Sequence, residues 1–125
     1  MTSFYIMTRN GQFIRSKDTP NQCVKVGKQI YEYEIKLLFY DNIELDKNGF
    51  IVKHEEIDEI IQKLNLSGSC EEMHKTLSKA ISQFFQFKLI GYKAIIKPPL
   101  YKNEVLIASL DYCWVNNPIL LPLLK

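Results

Sequence analysis

Gln29-Ile30-Tyr31-Glu32-Tyr33-Glu34-Ile35-Lys36-Leu37-Leu38-Phe39-Tyr40 is the stretch on which the fold turns. Its odd positions, Tyr31, Tyr33, Ile35, Leu37 and Phe39, are apolar or aromatic, while Glu32, Glu34, Lys36, Leu38 and Tyr40 occupy the even ones. A period of two over so many residues predicts a long strand with one buried face. Upstream, Phe4 to Met7, Asn10-Gly11 and Gln12 to Arg15 read as a short hairpin, because Asn-Gly supplies the positive φ angles of a type I′ turn. Ser16 to Asn21 has turn chemistry, and Asp46-Lys47-Asn48-Gly49 is a second turn signal.

The period then changes. From His54 to Leu64 the apolar residues Ile57, Ile60, Ile61 and Leu64 recur at helical spacing, with Glu55, Glu56, Asp58 and Glu59 facing away. Acidic residues in the first half suit the helix dipole. A second helix opens at Ser69-Cys70-Glu71-Glu72, where Ser69 and Glu72 have capping-box spacing, and its predicted buried stripe is Met73, Leu77, Ala80, Ile81 and Phe84. Tyr92 to Lys97 is rich in strand formers and stops at Pro98-Pro99, and Val105 to Val115 resumes as a strand. The expected class is α+β: an antiparallel four-stranded sheet with two helices on one face.

The 125 residues suffice for one domain, 1–125, with a tail over 116–125. At 46% hydrophobic and 24% charged, with five Gly and five Pro, the chain is neither disordered nor fibrous. The net charge of +2 lacks the basic excess of a nucleic-acid binder. It conceals three blocks: six basic and three acidic residues over 1–40, three and nine over 41–72, and seven and two over 73–125. Cys23, Cys70 and Cys113 form no CxxC and have no zinc-ligand spacing, which fits a reducing cytoplasm and no metal. No signal-like h-region and no run of 18 apolar residues occurs, so neither secretion nor a membrane is expected.

No P-loop, glycine fingerprint or Ser-His-Asp spacing is present. Three placements remain as candidate chemistry. Glu71 opens the second helix, where dipole and free amides favour a carboxylate; Lys97 ends a strand beside two prolines; His54 begins the first helix. Each also has a plain reading, as a dipole-complementing cap, a solvated strand end and a polar helix start. The tyrosine stripe of the long strand reads as core or subunit interface.

The succession of long strand, acidic helix, Glu-led helix and strand ending in Lys-Pro resembles the tunnelling fold, or T-fold, of pterin and purine enzymes over about residues 4–112. Glu71-Glu72-Met73-His74-Lys75-Thr76-Leu77-Ser78, Ile95-Ile96-Lys97-Pro98 and Gly27-Lys28-Gln29-Ile30 are similar to segments of dihydroneopterin aldolase. That family's early His-Gly and following glutamate have no match; only Asp18 lies in Ser16 to Gln22. Asp46 to Val52 and Ser69-Cys70-Glu71 resemble 6-pyruvoyl-tetrahydropterin synthase, and Cys23 has the spacing of its nucleophile. Its zinc-binding His-x-His is replaced by Gln29-x-Tyr31, and Gln62-Lys63 stands near its Asp-His pair.

The resemblance implies a metal-independent T-fold protein, without cofactor, that binds a pterin or purine-like heterocycle and acts as an aldolase-like lyase of folate or pterin metabolism. It implies Lys97 and His54 as catalytic groups and Glu71, Cys70 and Val52 as substrate contacts, His54 lying where the aldolases carry a tyrosine from a neighbouring subunit. It also implies a homo-oligomeric barrel with sites between copies and a cationic interior. The alternative is a non-catalytic, degenerate relative of the synthase that serves as an oligomeric or partner-binding protein.

Overall fold

The period-two stretch folds as predicted. In a computed structural model, which describes residues 3–14, 30–86, 88–97 and 110–125, the strand runs Ile30–Tyr40. Tyr31, Tyr33, Ile35, Leu37 and Phe39 are all buried on one face. Four strands, β1 (Phe4–Ile14), β2 (Ile30–Tyr40), β3 (Gly91–Lys97) and β4 (Leu110–Val115), form one antiparallel sheet in the order β1-β2-β3-β4. Two helices, α1 (His54–Lys63) and α2 (Cys70–Phe84), separate β2 from β3 and pack on the face that carries the odd residues of β2. The segment Ser16 to Asn21, the first part of Val105 to Val115, and Cys23 lie outside the described residues.

The predicted N-terminal hairpin is not formed. Phe4–Ile14 is one strand of 11 residues, paired with β2 from Phe4↔Tyr40 to Ile14↔Ile30, and Asn10-Gly11 lies in mid-strand. Gly11 is needed there for another reason. It sits opposite Tyr33, and a Cβ on Gly11 would collide with the Tyr33 hydroxyl, so the bare backbone makes room for the ring. The Asp46–Gly49 turn does form: the Asp46 carboxylate accepts from the amides of Asn48 (2.8 Å) and Phe50 (2.9 Å), and Gly49 takes φ +85°.

The main core joins β1, β2, β3 and both helices through Phe13, Ile35, Leu37, Ile57, Ile61, Met73, Leu77, Ile81 and Tyr92. Ser69 caps α2 by accepting from the Glu72 amide at 3.2 Å. The buried stripe of α2 is rotated from the predicted one: Met73, Leu77 and Ile81 are inside, but His74 and Ser78 join them, while Phe84 is 41% exposed. The cause lies in β4, where Tyr112 stacks on His74 (5.9 Å between ring centroids) and the Trp114 indole N–H donates to Ser78 Oγ at 3.2 Å.

The tail is a 3-10 helix, Pro118–Leu124, with Asn117 accepting from the Ile119 amide. Leu120 and Leu124 close over Leu38 and Ile90 on the sheet face opposite the helices. The rest of that face is not uniformly cationic. Among the described residues it carries Glu32, Glu34 and Asp111 beside Lys36, Lys93 and Lys97, as the pairing register dictates.

Candidate functional site

Antiparallel pairing fixes which side chains share a face, and the helix contacts fix which end of the sheet each element reaches. The last turn of α2 lies over the C-terminal end of β2, where Phe85 meets Phe39 edge-on at 5.1 Å. Going back along the helix, Ser78 meets Trp114, which pairs with Tyr92, and His74 meets Tyr112, which pairs with Ala94. The first turn, with Cys70 and Glu71, therefore lies toward the end of the sheet at which β3 finishes in Lys97. Helix α1 runs so that Gln62, in its last turn, donates to the Gln12 carbonyl at 2.7 Å. Its first residue, His54, lies toward the other end.

The predicted site residues thus divide into two groups. His54 and Val52 line a cavity of about 600 Å³ together with Tyr5, Met7, Leu45 and Phe50, where β1 meets the segment before α1. Val52 is buried and His54 exposed. Lys97 lines a different cavity of about 310 Å³, with Asn10, Gln12, Glu32 and Glu34. Glu71 is exposed, Cys70 is half-buried, and neither lines these two cavities. Within one chain, Glu71 and Lys97 share an end of the sheet but stand on opposite sides of it: Lys97 is the cross-strand partner of Glu32, on the face away from α2.

Between the two groups, on the helix face, three polar side chains lock together. Arg9 donates to both carboxylate oxygens of Asp58, from Nε at 3.0 Å and from Nη2, and the Tyr33 hydroxyl donates to Asp58 Oδ1 at 2.7 Å. The hydrogen bonds from Arg9 hold the Asp58 carboxyl below its ordinary value of 3.8, against the opposing effect of partial burial, with Tyr33 next in importance. Burial first, and then the hydrogen bond to Asp58, pushes the Tyr33 phenol up, so it stays a neutral donor. The cluster ties α1 to β1 and β2.

Sequence reasoning missed Asn10, Gln12, Glu32 and Glu34 as neighbours of Lys97. The signal was available for the two glutamates, on the even face of the period-two strand. It was hidden for Asn10 and Gln12 by the hairpin reading. Nothing in the sequence links Arg9 to Asp58. Among the described residues no three His, Cys, Asp or Glu side chains are grouped to hold a metal ion, Cys70 and Cys113 form no disulfide, and no helix is long and apolar enough to cross a membrane. Comparison with models of protein families and with curated protein sequences gives no match.

Proposed function

We propose that the chain is a T-fold protein that binds a pterin or purine-like heterocycle without a metal ion, and that its closest chemistry is that of a dihydroneopterin aldolase-like lyase. One observation carries the reading. The chain order strand, strand, helix, helix, strand, strand, with sheet order β1-β2-β3-β4 and both helices on one face, is the arrangement expected of a T-fold subunit. It sets the first turn of α2 and the end of β3 at the same end of the sheet.

In this reading Glu71 anchors the ring. A pterin's 2-amino group and N3–H form a parallel donor pair, and one ionised carboxylate accepts both. Cys70 stands beside it at the start of α2. Lys97, at the same end of the sheet but on its far face, reaches round the sheet end to take up and return the proton of the side-chain hydroxyl, directly or through a water. As that proton leaves, the C–C bond next to the ring breaks, its electron pair passes into the ring's C=N, and an aldehyde departs. Val52 and His54 lie toward the other end of the subunit, so they join the site only from a second copy, and the working unit is a homo-oligomer.

A second reading, a non-catalytic relative that binds a partner, is favoured by the separation of Glu71 from the cavity of Lys97 within one chain. Calorimetry with neopterin and guanine separates the two. The first reading predicts saturable binding of neopterin that Glu71→Gln weakens by about tenfold or more, with glycolaldehyde released from 7,8-dihydroneopterin by the wild type and not by Lys97→Ala. Equal binding by Glu71→Gln defeats the anchor role, and no binding of either compound leaves the partner-binding reading.

A further inference from the structure

The cavity around Lys97 is formed by the far face of the sheet rather than by the helices. Gln12, Glu32 and Lys97 make one cross-strand row on β1, β2 and β3, and Asn10 and Glu34 make the start of the next. All five side chains share that face, and the cavity lies among them with a volume of about 310 Å³. Gly11 and Tyr33, also at its wall, belong by alternation to the helix face, so they offer main chain. The floor is the hydrogen-bonded ladder itself, a rigid support for a small site.

The charges around this cavity have an unusual relation. Glu32 and Lys97 are direct cross-strand partners, a placement in which an ion pair is within easy reach. Yet neither Glu32 nor Glu34 is bonded to Lys97; the opposed charges stand around an open space. A simple cation entering that space meets the Lys97 ammonium, and a simple anion meets two carboxylates. A molecule carrying both charges satisfies all three groups, while the carboxamides of Asn10 and Gln12 each offer a donor and an acceptor. The volume sits at the small end of ligand pockets, which run from about 300 Å³ upward.

We infer that this cavity binds a small zwitterion of the amino-acid class, its ammonium held by Glu32 and Glu34 and its carboxylate by Lys97. The inference goes beyond the heterocycle reading and does not need it: both use Lys97, but Glu71 takes no part in this cavity.

The test is calorimetry of the full chain with the common α-amino acids and 4-aminobutanoate, and with butylamine and butanoate as the separate halves of the last. At least one zwitterion is expected to bind saturably, and neither half to match it. Lys97→Met, and Glu32→Gln combined with Glu34→Gln, are each expected to weaken binding by about tenfold or more. Lys93→Met, on the same face but outside the cavity, is expected to leave it unchanged. Thermal melts of each variant separate lost binding from lost folding. The inference is overturned by no saturable binding up to about 10 mM, by butylamine or butanoate binding as well as the zwitterion, or by binding that persists in both sets of folded variants.

Discussion

Gly11, Tyr33 and Asp58 show how much of this protein is decided by single side chains. The Tyr33 ring crosses the bare backbone of Gly11 to reach the Asp58 carboxylate, which also holds Arg9. Gly11→Ala forces that ring aside, and because its hydroxyl is tethered at 2.7 Å the ring cannot simply swing away. The substitution is expected to destabilise the fold by about 1–3 kcal/mol, read from denaturant unfolding; an unchanged midpoint contradicts the account. Asp58 gives a pH prediction. Its folded carboxyl lies below the ordinary 3.8, so its stabilising share is fully present above that value and is lost as pH falls through the lower folded one. Asp58→Asn is therefore expected to lose stability at neutral pH and to show a smaller further loss on acidification below about pH 4 than the wild type. At this scale the sequence was least informative. Asn10-Gly11 is the strongest short hairpin signal there is, and only the position of a tyrosine 22 residues away explains why the chain runs straight through it.

At the scale of elements, periodicity was a good guide wherever packing was apolar. The long strand, the Ser69 cap, the Asp46 turn and the extent and apolar side of α1 have the expected form, because each depends on neighbours within a few residues; Asp58, expected to face away from the core, instead turns in to Arg9 and Tyr33 of the sheet. Helix α2 departs from expectation because its partner is not apolar. Tyr112 and Trp114 of β4 bring a ring face and an indole N–H, and these admit His74 and Ser78 to the interior in place of Phe84. An apolar count cannot see that, since it ranks His and Ser as outward residues. The contact can be measured. A double-mutant cycle of Ser78→Ala and Trp114→Phe is expected to return a coupling of about 0.5–1.5 kcal/mol, and additive effects would show that the indole bond contributes nothing.

For the whole molecule, the α+β class, the four-stranded antiparallel sheet and the placement of both helices on one face were legible in the order of periods along the chain. The candidate site was legible only in part. The order of elements set Glu71 at the start of a helix and Lys97 at the end of a strand, but that they share one end of the sheet depends on helix contacts, and which face Lys97 occupies depends on its register with Glu32, long-range pairings that no local pattern reveals. The three charge blocks likewise acquire places only through the fold. The acidic one covers the exposed side of α1, with Glu55, Glu56 and Glu59 at the surface, while the far face of the sheet mixes both signs.

The division of Val52 and His54 from Glu71 and Lys97 within one chain gives the heterocycle reading its most direct check, a crystal structure grown with neopterin. The account predicts the ring between two copies, its amino edge on Glu71 of one and its surroundings including Val52 and His54 of the other. A monomeric chain, or a ring bound away from Glu71, contradicts it.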